Sequence, residues 1–218
     1  GGVNGRKINL VALDDGYETD RAVSNTRILI SEKNAFALLA SYGSSPTTDA
    51  MNKVFGPARV PLVGTISGAG SQREPISQNP GSRYMFNVRA SYADETEAIV
   101  NQLVSLGLKN IAVFYQNDGF GKSGLDGVTS ALKKHNLAPT AAATVERNSL
   151  DVNAAVEAIA KAKPQAVVMV TLYKPTAAFV KAMKKANQSP MFMTLSPVGT
   201  EQLVAEALGV AGLRRHGV

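Results

Sequence analysis

Short apolar runs alternate along the chain with longer segments in which apolar side chains recur every third or fourth position. Residues 7–12 (KINLVA) are predicted as a strand ending at Asp14-Asp15-Gly16. A helix is predicted over 19–31, with Ala22, Val23, Thr26, Leu29 and Ile30 toward the core, followed by a short buried strand over 35–40. Ser45-Pro46 predicts a helix start with a hydroxyl N-cap and proline at the first helical position. Ala50, Met51, Val54 and Phe55 form the apolar stripe of that helix. Residues 60–63 and 85–88 are predicted strands on either side of a polar loop rich in Gly, Ser and Pro.

The same alternation resumes after Arg89. Asp94, with Glu97 three residues on, predicts a capped helix carrying Ile99, Val100, Leu103 and Val104. Residues 110–115 (NIAVFY) are a continuous apolar strand, and the loop 116–123 leads into a helix with Leu125, Val128 and Leu132 on one face. A strand over 141–145, a helix marked by Val152, Ala155, Val156 and Ile159, and a strand over 166–172 follow. The pattern closes with a helix over 175–186, a strand over 191–195 and a helix over 200–207. Wholly apolar strands alternating with helices predict βαβ units and parallel sheets covered on both faces, an α/β fold. The restart places a domain boundary near 89–93, dividing residues 1–90 from 91–218.

Composition narrows the function classes. At 218 residues the chain lies between one domain and two, and 44% apolar with 18% charged residues describes a globular protein. No window reaches about 18 uninterrupted apolar residues, so no transmembrane helix is expected. The start Gly1-Gly2-Val3-Asn4-Gly5 is not a signal peptide, although a mature exported chain reads the same way. The absence of cysteine excludes disulfides, cysteine–zinc sites and thiol nucleophiles. The net charge of +6 is spread evenly over both halves without an arginine-rich run, so a nucleic-acid partner is not expected.

Ligands of open α/β sheets bind beyond the carboxyl ends of the strands. That rule selects the loops 41–48, 64–71, 116–123, 172–175 and 195–200. The first holds Gly43, Ser44, Ser45, Thr47 and Thr48 at a helix start, suited to an anion such as a carboxylate. The second is a run of small residues, Gly64 to Gly70, that lets backbone approach a ligand. The others supply Phe120, Tyr173 and Ser196. Taken singly, each position also reads as a cap or a turn residue.

Gly119-Phe120-Gly121-Lys122-Ser123-Gly124 matches the dinucleotide fingerprint G-x-G-x-x-G, with Glu146 after the following strand. Asn117 and Asp118 precede the first glycine, and a carboxylate there would repel a pyrophosphate. Gln116 stands where a P-loop needs its first glycine. A nucleotide-dependent oxidoreductase is therefore the lesser alternative. His135 reads as a helix C-terminal surface residue, His216 lies in an unpatterned basic tail, and Asp14-Asp15 reads as a solvated turn. No nucleophile–histidine pair emerges, so no catalytic residue, metal or cofactor is expected.

The segments GGVNGRKINLVALDDGYETDRAV, SSPTTDA, VPLVGTISGA, FNVRASYADETEAIV and IAVFYQNDGFGKSG, in that order, resemble periplasmic binding proteins of the leucine/isoleucine/valine-binding family. The resemblance extends to about Leu208. It implies a type I periplasmic binding protein: two lobes, each a parallel sheet flanked by helices, joined by three hinge strands and closing on a small ligand. By the resemblance Ser45 binds a carboxylate, Ser67 (or Gly68, one register away) contributes backbone and hydroxyl groups, and Phe120 and Tyr173 wall the ligand. Ser196 falls where the family often places a glutamate against the ligand ammonium, so a carboxylate or amide without an ammonium stays open beside an amino acid. The family further implies a monomeric receptor of an ABC importer, working in the periplasm with a membrane permease; a sensory domain of the same fold is a second alternative. The family's opening strand and helix and its return to the first lobe are not matched, and Leu213–Val218 does not resemble its continuation. The resemblance thus implies a fragment with an incomplete, less stable first lobe that binds its ligand poorly or not at all.

Overall fold

The computed structural model of the chain describes residues 2–208. They fall into two compact units: residues up to Ile66 with Ser71–Arg89, and Ser67–Gly70 with Ala90 onward.

In the first unit α1 (Thr19–Ser31) precedes β1 (Leu38–Leu39), α2 (Ser44–Ala50), β2 (Leu62–Val63) and β3 (Met85–Phe86). The strands form a parallel sheet in the order β1-β2-β3, with Leu38 opposite Leu62 and Leu62 opposite Met85. These three side chains point to one face and pack with Ala50, Met51 and Phe55. The intervening Leu39, Val63 and Phe86 point to the other face and are exposed, the period-two consequence of the pleat.

This unit departs from the sequence pattern in several places, and the runs 60–63 and 85–88 pair only over Leu62–Val63 and Met85–Phe86. Residues 7–12 make no ladder: Ile8 and Leu10 are each 77% exposed, and no described strand lies alongside to complete their backbone hydrogen bonds. The run 35–40 shrinks to two residues: Phe36, 90% exposed, and Ala37 lie in a bend, and Ala40 adopts a positive φ of 53°, which ends the extended run. The α2 N-cap is Gly43 (φ 92°), so Ser45 is the second helical residue and Pro46 the third. A β-carbon on Gly43 would collide with the Tyr17 ring, which reserves the position for glycine. Pro46 is tolerated because first-turn N–H groups have no intrahelical acceptor. Beyond Ala50 the chain passes through one wider turn, Met51–Phe55, with the Gly56 N–H on the Met51 carbonyl, into the closing turn α3 (Gly56–Ala58).

The second unit runs α4 (Tyr92–Ser105), β4 (Ile111–Gln116), α5 (Gly119–Lys134), β5 (Ala141–Val145), α6 (Asn153–Ala162), β6 (Ala166–Val170), α7 (Tyr173–Lys185), β7 (Met191–Thr194) and α8 (Thr200–Leu208). Its sheet is parallel, in the order β5-β4-β6-β7. Ile111, Val113, Val168 and Val170 face α4 and α5, packing with Val100, Leu103, Val128 and Leu132. Ala112, Phe114, Val167 and Met169 face α6 and α7, where Phe114 stacks on Phe179 with ring centroids 4.1 Å apart. Burial on both faces is why β4 and β6 read as unbroken apolar runs.

Helix starts are the places where sequence and structure differ here. Ser91, not Asp94, caps α4: its hydroxyl accepts from the Asp94 N–H at 3.1 Å while the Asp94 carboxylate accepts from the Ser91 N–H at 3.0 Å. Glu97 instead pairs with Lys134 at 2.6 Å on the surface. The loop 116–123 reduces to Asn117-Asp118, and α7 starts two residues before Pro175. His216 and Leu213–Val218 lie outside the described residues. Among the described residues no helix is long and apolar enough to cross a membrane.

Candidate ligand-binding site

Parallel pairing sets the loops that follow β1 and β2 side by side in the first unit, the Ile66 N–H donating to the Ser41 carbonyl at 2.8 Å. Ser45 is half-buried in the first turn of α2. Polar side chains brace the turn: Ser41 and Thr47 share a hydroxyl bond of 2.8 Å, Thr48 and Ser71 one of 2.9 Å, and the buried Gln72 amide donates to the Ser44 carbonyl at 3.1 Å. Asp14 and Asp15 form the expected turn, accepting from the N–H groups of Gly16 and Tyr17 at 2.8 and 2.7 Å. That turn seats the Tyr17 ring against Gly43 and edge-on to Tyr42, centroids 5.3 Å apart.

In the second unit Gly68 and Phe120 come together on Tyr92, with Ser67 next to Gly68 in the chain. The Ser67 hydroxyl is fully buried and accepts from the Ala69 N–H at 3.1 Å. The Gly68 carbonyl accepts from the Tyr92 N–H at 2.8 Å, an approach that a β-carbon on Gly68 would block. Phe120 is only 2% exposed and packs on the Tyr92 ring, centroids 5.1 Å apart.

Tyr173 is the half-buried first residue of α7, and Ser196 is exposed in the turn after β7. Phe120 and Tyr173 follow the neighbouring strands β4 and β6, whose helices leave toward opposite faces. They therefore flank the topological switch point, where an open α/β sheet offers a crevice.

Ser196 has a partner that the sequence did not single out. Its N–H and its hydroxyl donate to the two carboxylate oxygens of Glu95, each at 2.8 Å. The neighbouring Asp94 is taken up by the α4 capping box. The available signal was the consecutive acidic pair, one member of which is surplus to capping. A cavity of about 300 Å³ opens at Ser196, lined also by Thr194, Gly199, Thr200, Leu203 and Val204.

The glycine fingerprint serves packing. Gly121 lets α5 lie directly on the Gln116 backbone, Gly124 on Val170, and the additional Gly127 on Thr96 of α4; a β-carbon at any of them would collide. The Asp118 carboxylate, 7% exposed, accepts from the Phe120 and Gly121 N–H groups at 2.9 and 3.2 Å and lies 3.5 Å from Arg147. A carboxylate thus fills the helix terminus where a pyrophosphate would sit. Glu146 accepts instead from Asn117, at 2.7 Å. His135 caps the α5 C-terminus on the surface, beside Asn101 at 2.7 Å. No group of three or more His, Cys, Asp or Glu among the described residues is arranged to hold a metal ion.

Two parallel sheets flanked by helices make an α/β fold, and residues 1–214 match the family model described as periplasmic binding protein. The chain belongs to the periplasmic binding protein family, of the type I fold, whose members are solute-binding proteins and not enzymes. It is similar to an amino acid binding protein of Pseudomonas aeruginosa, with 27% identity over 212 residues, covering 96% of this chain and 54% of that protein. A substrate-binding periplasmic protein from Ralstonia solanacearum superposes with TM-score 0.88 at 34% identity, covering 95% of this chain and 57% of the other. A possible leucine/isoleucine/valine-binding protein from Rhodopirellula baltica superposes with TM-score 0.84 at 29% identity, covering 91% and 54%. Two more distant structures, each 19% identical with TM-score 0.80, share the fold: a branched-chain amino acid ABC transporter protein from Thermus thermophilus with bound valine, and a solute-binding protein from R. palustris in complex with benzoate. The chain spans about half the length of these relatives.

Proposed function

We propose that the chain is the ligand-binding portion of a periplasmic receptor of an ABC importer, and that it takes an amino acid or a similar small carboxylate. The observation that carries the ligand class is what the relatives' ligands have in common. Valine and benzoate share a carboxylate on a small apolar body, and only valine has an ammonium. Ser45 in the first turn of α2 is the proposed carboxylate contact. The α2 N-cap is a glycine, which brings no carboxylate of its own, whereas α5 is capped by Asp118. Ser67, Gly68, Phe120, Tyr173 and Ser196 are the proposed contacts from the second unit, with Glu95 added because it brings a carboxylate to Ser196. Glu95 supports an α-ammonium on the ligand despite the serine at 196.

The test is a titration of the chain with amino acids, benzoate and NADH, read by thermal shift and by NMR so that millimolar binding is seen. Saturable binding of an amino acid or benzoate supports the proposal. A response to NADH alone would restore the oxidoreductase reading.

A further inference from the structure

We infer that Gln72 is a positioning residue that fixes the direction of the Ser45 peptide; its consequence for binding rests on the proposed role of Ser45, but its structural action does not. Gln72 lies in a Gly- and Ser-rich stretch where a polar side chain ordinarily faces water, yet it is 1% exposed. Its side-chain nitrogen donates to the Ser44 carbonyl at 3.1 Å. Its side-chain oxygen accepts from the Thr65 hydroxyl at 3.2 Å, and its backbone carbonyl accepts from the Asn87 amide at 3.1 Å. One residue thereby ties together the segments that follow β1, β2 and β3. The Ser44 carbonyl is acceptor-only, so the amide nitrogen must face it, and the remaining oxygen then faces the Thr65 hydroxyl, whose proton it shares with the Ser41 carbonyl at 3.3 Å.

The Ser44 carbonyl and the Ser45 N–H belong to the same planar peptide and point in opposite directions. A bond that holds the carbonyl therefore aims the N–H and sets the first turn of α2. A residue that only filled space would not have this effect, which separates positioning from packing. Leucine at position 72 fills a similar volume with neither donor nor acceptor. Glutamate keeps the shape, and its protonated form can donate to the Ser44 carbonyl where its ionised form cannot.

Amide exchange of the wild-type chain, Gln72→Leu and Gln72→Glu, expressed as protection factors, tests the assignment. In Gln72→Leu the Thr47 and Ile66 amides, bonded to the Gly43 and Ser41 carbonyls, should lose about tenfold or more in protection, with Val113 and Val168 unchanged. In Gln72→Glu, burial raises the carboxyl pKa, so wild-type protection of those two amides should return near about pH 5 and fall by about pH 8. Unchanged protection in Gln72→Leu, or a Gln72→Glu chain whose protection follows the wild type at both pH values, would overturn the inference. Should Gln72→Leu fail to fold, the pH series on Gln72→Glu decides. Loosened Thr47 and Ile66 amides with an unchanged affinity for L-valine would uphold Gln72 and contradict Ser45 as a ligand contact. Weakened L-valine binding with intact protection would overturn Gln72 as the positioning residue.

Discussion

Ser196 donates twice to Glu95, from its N–H to Oε2 and from its hydroxyl to Oε1, both at 2.8 Å and across 101 positions of sequence. The serine thereby holds a carboxylate at its own position, in an orientation set by two hydrogen bonds. If that carboxylate meets a ligand ammonium, Glu95→Gln should weaken L-valine binding by roughly tenfold or more, in line with about 1.5–3 kcal/mol for a charge-assisted hydrogen bond. Benzoate, without an ammonium, should bind the variant as it binds the wild type. Equal losses for both ligands in calorimetric titration would place Glu95 outside ligand discrimination.

Asp118 is the structural cap of α5. Asp118→Ala removes its bonds to the Phe120 and Gly121 N–H groups together with its Gln116 and Arg147 partners. Urea unfolding should show a loss of about 2–3 kcal/mol, more than an exposed cap alone contributes. A loss below about 0.5 kcal/mol would contradict the cap.

Gly121 touches the Gln116 backbone so closely that a β-carbon cannot be accommodated without moving α5 off β4. Gly121→Ala should therefore cost about 3 kcal/mol or more, through overpacking against backbone. Gly70, where a β-carbon meets nothing within 4 Å, provides the control: Gly70→Ala should stay within about 0.5 kcal/mol. Similar unfolding midpoints for the two variants would refute the packing role of the fingerprint.

The first unit should open more readily than the second. Its strands are two residues long and Leu39, Val63 and Phe86 face outward, whereas β4 and β6 are buried on both faces. Hydrogen exchange should show the Leu38 amide exchanging at least about a hundredfold faster than the Val113 amide. Comparable protection would contradict this difference.

The second unit's architecture was legible because its strands and helices carry strong, separate periods; the run over 141–145 matches β5 residue for residue. The first unit is less legible in the sequence. The apolar pattern of residues 7–12 implies a sheet neighbour that no described residue supplies, and a strand exists only through its partner. Helix starts shifted where a glycine or an earlier serine took the cap from the residue with the more familiar signature, as at Gly43 and Ser91. Gln72 and Glu95 were invisible for a different reason. A glutamine in a Ser/Gly loop and a glutamate on a first helical turn both read as solvated, and only tertiary contact gives them partners.

The most direct test of carboxylate binding follows the Ser45 backbone amide by NMR while L-valine, and separately benzoate, is added to the chain. A saturable shift of Ser45 with both is predicted. Ser45→Ala should weaken each by about tenfold, near 1.4 kcal/mol, and leave the unfolding midpoint within about 1 kcal/mol of stability. A Ser45 amide that stays unmoved by both compounds, with NADH shifting Phe120 and Gly121 instead, would contradict the account.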